Sequence, residues 1–128
     1  MVKKTFLLPQ EIETFYVIPT LRRYIALSLK AGGMKQKDIA ALLQINSATI
    51  SQYASSKRGH KIDFSGEIIA EIGRATGRIK DRFTYVQEVQ RLLQMIRRTN
   101  VLCLIHKQFS DVPLQCEPLA VGCVVEAK

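Results

Sequence analysis

Apolar residues recur along the chain at steps of three and four, the spacing of one face of an α-helix, and strand-like alternation is scarce. A first short helix is predicted from about Gln10 to Val17, with Ile12, Phe15 and Tyr16 at helical spacing. Pro19 breaks or kinks it and suits the first turn of a second helix. That helix carries Leu21, Tyr24, Ile25 and Leu29 on one face, with Arg22, Arg23 and Lys30 largely on the other. Ala31-Gly-Gly33 stops it, because glycine takes the left-handed conformation of a helix end. Further helices are predicted over Met34 to about Leu43 and over Ser47 to about Ser55, the latter with Asn46 as N-cap. Another spans Ser65 to Ile79, with Ile68, Ile69, Ile72 and Ala75 inward, and one capped by Asp81 runs from Arg82 to Arg98. After Asn100 the chain is expected to turn short and irregular, since Pro113 and Pro118 argue against a long helix. The fold class is all-α.

The segment from Gln36 to Tyr53 reads as two helices joined by a tight turn. Ile39, Leu43 and Ile45 face inward from the first helix and the turn, and Ile50 and Tyr53 face the same core from the second. Ala40 falls where the helices cross, a place for a small side chain. Ser47, Ala48, Ser51, Gln52 and Ser55 are left on the outer face, which lacks an acidic side chain. Lys35, Lys37, Lys57 and Arg58 flank it. A polar helix face between cations suits a groove walled by phosphates.

These residues resemble the helix-turn-helix of the lambda-repressor-like class of transcription regulators, with Gln36, Ala40, Ile50 and Tyr53 at the matching sites. The class usually places glycine in the turn where this chain has Gln44, which must take a positive φ at about 1 kcal/mol unless the turn differs. A wider resemblance runs through Pro9-Gln-Glu-Ile12, Tyr16 to Arg22, Leu42-Leu43 to Tyr53, and Lys57-Arg-Gly59. It is to small archaeal-type helix-turn-helix regulators, in some of which a similar unit precedes a ligand-sensing domain. The resemblance implies a cysteine-rich tail as well. Here Gln90 and Leu93 stand at its first pair, Cys103 and His106 keep the middle, and Cys116 keeps one of the last pair with Leu119 at the other.

Charge adds weight to the first half. Of a net +8, the stretch to His60 holds nine Lys and Arg against three acids, while the rest holds ten against eight. A basic balance alone fits nucleic acid, anionic lipid or any acidic partner. No apolar run approaches the roughly 20 residues that cross a bilayer, and the apolar stretch at the start is short for a signal-peptide core. A soluble, cytoplasmic protein is expected. In a reducing compartment the odd count of three cysteines argues against structural disulfides.

Cys103, His106, Cys116 and Cys123 supply four soft donors, and zinc accepts such a set. Their spacing is not a tight knuckle, so free cysteines and a packed histidine are the expectation, with no metal and no cofactor. His60 has no cysteine nearby, Gly73-Arg-Ala-Thr-Gly77 reads as close packing or a weak helix end, and no catalytic set or phosphate-cradling loop is present. The expectation is therefore a non-enzymatic regulator binding double-stranded DNA. Its helix-turn-helix unit falls in residues 1–62, and a C-terminal helical and dimerising extension with an irregular tail in 63–128. Ser47, Ser51 and Gln52 are the candidates for base edges, and Gln36, Lys35, Lys57 and Arg58 for phosphates. A small-molecule sensor domain is not expected. A homodimer is, through the stripe Phe83, Val86, Val89, Leu93 and Ile96, widened by Tyr85, Leu92 and Met95. The alternatives are a metal-binding or redox-responsive interaction module, and an antitoxin-like protein that pairs with a toxin and binds DNA.

Overall fold

In a computed structural model, residues 7–55, 62–112 and 116 are described, and most of them lie in six helices. No β-strand forms among these residues, and none of their helices is long and apolar enough to cross a membrane. The first helix, α1, runs without interruption through Pro9–Ile12, a π-helical turn at Glu13–Val17, and Ile18–Ala31. The expected break at Pro19 becomes this widened turn. Proline has no N–H to give and its ring crowds the carbonyl one turn back. A π-turn, in which the Ile18 N–H reaches Glu13 O, lets the helix continue. Gly33, at φ 101°, ends α1 as the sequence implies.

Helices α2 (Gln36–Leu43), α3 (Ser47–Ala54) and α4 (Gly66–Gly77) pack on α1, which lies at the centre of the fold. Helix α5 (Arg82–Arg98) rests on α2 and α4, and α6 (Val101–Phe109) closes between α5 and the start of α1. Ile12, Ile25, Ala26, Ile39, Ile50, Ile72, Ala75 and Ile96 are wholly sealed from solvent in a single cluster. That cluster crosses from the first half of the chain to the second.

Three expectations need correction, and one is Ile69, expected inward on α4 but 41% exposed beside the buried Ile68 and Ile72. The chain after Asn100 is not irregular at once. Asn100 takes the left-handed conformation, reversing the chain, and α6 follows with Leu102, Ile105, His106 and Phe109 buried. Pro113 and Pro118 lie outside the described residues. On α5 the inward set is Glu88, Leu92, Leu93 and Ile96, with Tyr85, Val89 and Met95 half-buried against the core. Phe83 and Val86 instead point to solvent.

Polar ties hold the elements in place. The Glu13 carboxylate, buried beside the π-turn, accepts from Arg97 Nε at 2.7 Å and Nη2 at 2.9 Å, joining α1 to α5. That bond to Glu13 raises the arginine's pKa, with burial opposing it. Glu88 accepts from Arg78 Nε at 2.9 Å. Asp81 caps α5, and the Thr84 backbone N–H that it accepts holds its carboxyl below the usual aspartate range. Its contribution to stability is thus complete above the unfolded-state value and is lost as pH falls through the lowered one. Ahead of α1, the Leu7 N–H donates to Ser110 Oγ at 2.8 Å, the Leu7 carbonyl accepts from His106 Nε2, and Tyr16 stacks on Phe109 with centroids 4.1 Å apart.

Candidate nucleic-acid interface

Helices α2 and α3 have eight residues each, too few to be stable alone in water. The turn between them and the core beneath hold them in place. Gln44 sits at φ 56° and ψ 47°, so this glutamine does adopt the left-handed conformation. Two bonds hold it there: Ile45 N–H to Ala40 O at 3.0 Å, and its own Nε2 to Ala41 O at 3.0 Å. Asn46 then caps α3, its side chain accepting from Ala48 N–H at 2.8 Å. Ile39, Leu43, Ile50 and Tyr53 are buried at this junction, with Ala40 and Ile45 half-buried against them. Thr49 is buried too, a position the spacing of Ile50 and Tyr53 did not flag.

Because Gln44 pays a conformational cost that glycine avoids, Gln44→Gly is expected to raise stability by about 0.5–1 kcal/mol, less the lost side-chain bond to Ala41. A lower urea midpoint than wild type would mean that the side chain matters more than the backbone.

The predicted site residues come together at the start of α2 and α3. Ser47 and Ser51 are exposed on α3, and Lys35 and Lys37 are exposed on and just before α2. Gln36 bridges the two helices. Its Nε2 donates to Ser47 O at 2.8 Å, Ser47 Oγ at 3.2 Å and Ser51 Oγ at 2.9 Å. Gln52 lies on the flank of this face and is half-buried, less open than expected. Lys57 and Arg58 lie outside the described residues, as does His60. One residue is added: Lys30 Nζ, at the end of α1, lies 3.5 Å from Gln36 Oε1. Its six-residue distance from Gln36 gives no periodic signal, because the Gly32-Gly33 turn intervenes. Arg22 and Arg23 are half-buried on α1, and the Arg23 guanidinium carbon lies 5.6 Å from the Tyr24 ring centre.

The cysteine-bearing region is arranged otherwise. Cys103 and Cys116 are half-buried, and Cys123 lies outside the described residues. His106 is buried, and its Nε2 must carry the hydrogen, because its partner, the Leu7 carbonyl, can only accept. Among the described residues, no group of three or more His, Cys, Asp or Glu side chains is placed to hold a metal ion. Compared with models of protein families, with curated proteins and with solved structures, the chain matches none.

Proposed function

We propose that the chain binds double-stranded DNA in a sequence-dependent way as a transcription regulator, through a lambda-repressor-like helix-turn-helix formed by α2 and α3. The observation that carries this is the Gln36 bridge, which fixes Ser47 and Ser51 on an exposed face beside Lys30 and Lys35. Each serine oxygen accepts from Gln36 and keeps its own hydrogen to donate outward. Donors held in a row suit the acceptors that purines line up in the major groove, N7 of both and O6 of guanine. Cations at the edge of the face suit the phosphates, which position the protein without reading sequence.

The test is selection from random duplexes, followed by titration on the selected and on random DNA at two salt concentrations. Gln52→Ala is expected to cost about 1–3 kcal/mol on the preferred site and little on random DNA. Lys35→Ala and Arg58→Ala are expected to weaken both alike and each to lower the salt slope by about one. A wild type with no preferred sequence would reduce the reading to non-specific electrostatic binding.

A further inference from the structure

The amide of Gln36 has one workable orientation. Its nitrogen lies 2.8 Å from the Ser47 carbonyl, which can only accept, so a turned-over amide would set two acceptors against each other. Nε2 carries two hydrogens. The Ser47 carbonyl takes one and Ser51 Oγ, at 2.9 Å, takes the other, with Ser47 Oγ sharing them at 3.2 Å. Neither is left for a phosphate. What the amide still offers is Oε1, an acceptor that a phosphate oxygen avoids. Lys30 Nζ lies 3.5 Å from that atom. Lys30 is exposed in the last turn of α1, and its ammonium group keeps two further hydrogens and a charge to offer.

We infer, resting on the DNA binding proposed above, that Lys30 holds the backbone phosphate at this edge of the face, and that Gln36, expected from the sequence to touch phosphate, instead sets the hydrogen-bond polarity of the two serines. Lys30 faces Oε1, and Nε2 makes acceptors of both serine oxygens. Each hydroxyl hydrogen is therefore turned away from Gln36, toward whatever meets the face. A chain of bonds from ammonium to amide to hydroxyl runs in one direction, and the Ser47 carbonyl at its base bars the reverse. Ser47 and Ser51 thus form a donor pair. It matches N7 of a purine and O6 of guanine, and it meets the amino group of cytosine donor against donor. The phosphate contact and the base contacts join at a single amide, so a phosphate docked on Lys30 sets the register of the serines over the bases.

The full chain is titrated on its selected duplex, on the same duplex carrying 7-deazapurines, and on a random duplex, each at several salt concentrations. Lys30→Met is expected to weaken selected and random DNA by the same factor and to lower the salt slope by about one, whereas Lys30→Arg keeps the slope. Lys107→Met removes an equal charge from the exposed side of α6 and is expected to change the slope far less. Loss of the purine N7 atoms is expected to weaken wild type about 10-fold and Gln36→Ala no more than about twofold, because its serines are free to turn. Gln36→Ala should hold random DNA as wild type does. Far-ultraviolet spectra matching wild type verify folding, and the comparison of purines on wild type needs no variant. A Lys30→Met slope that falls no further than that of Lys107→Met overturns the inference. So does a wild type indifferent to 7-deazapurines, or a Gln36→Ala that loses random DNA as much as the selected duplex. A wild type that selects no sequence is a different result: it removes the proposed function itself, and the inference with it.

Discussion

Ile50→Ala is expected to lower stability by about 2–5 kcal/mol, the range for emptying a sealed aliphatic site. Ile50 is 0% exposed and is the inward anchor of α3, between α1 and α2. So short a helix keeps its shape only through what it buries, so the lost contacts also loosen the turn at Gln44 and the cap at Asn46. The outer face should suffer with them: on the proposed reading DNA affinity is expected to fall although no atom of that face has changed. Urea denaturation followed by circular dichroism measures the first effect. Ser51→Ala, on the exposed side of the same helix, serves as control and should stay within about 0.5 kcal/mol of wild type. A loss below about 1 kcal/mol for Ile50→Ala would show that α3 is not held from beneath.

Arg97→Ala should be nearly as damaging, at about 2–3 kcal/mol. The Glu13 side chain is only 7% exposed and its two oxygens receive a forked pair of bonds from Arg97, itself 37% exposed. Without the arginine, a carboxylate is left in the interior with its bonds unmade, a change that costs several kcal/mol at a fully buried pair. The water that already reaches Arg97 reduces that figure here. Replacing both residues by alanine should cost less than the two single changes added together, because neither charge is then stranded. Thermal or urea denaturation of the two single variants and the double variant closes the cycle. Strict additivity would mean that the pair contributes nothing as a pair.

The helices readable from sequence were those whose apolar spacing coincided with an end signal. Asn46 ahead of Ser47, Asp81 ahead of Arg82 and Gly33 after Ala31 each have a local reason to start or stop a helix, and each does so in the structure. What escaped depended on partners distant in sequence. Pro19 announces a break, yet the chain widens into a π-turn instead, with the buried Ile12 just ahead of that turn and the buried Val17 at its end. Val101, Leu102, Ile105 and Phe109 carry a helical spacing of their own, and the prolines at 113 and 118 come too late in sequence to cancel it. On α5, Phe83 and Val86 share the spacing of the core residues, and apolarity alone does not tell an inner face from an outer one. At the candidate interface, spacing placed Ser47 and Ser51 outward because Ile50 and Tyr53 had to turn in. The hold of Gln36 on both serines spans eleven and fifteen residues and follows no period, so only the fold brings it to view.

The bonds that fasten Leu7 and Glu13 to the last two helices have a meaning in time as well as in space. They join residues separated by 84, 99 and 103 positions. Closing loops of that length carries an entropic cost that must be met before the contacts return anything, so such pairings tend to form late. On a ribosome the first helix emerges first, but its opening turns find their partners only after α5 and α6 have been made. Until then the buried-to-be carboxylate of Glu13 and the ring of Tyr16 stay in water. Helices α2, α3 and α4, whose contacts with the later turns of α1 are much closer in sequence, can assemble in the interval. The surface proposed to meet DNA thus lies in the part of the chain that can take shape earliest, and the joining of the first turns of α1 to α5 and α6 follows it.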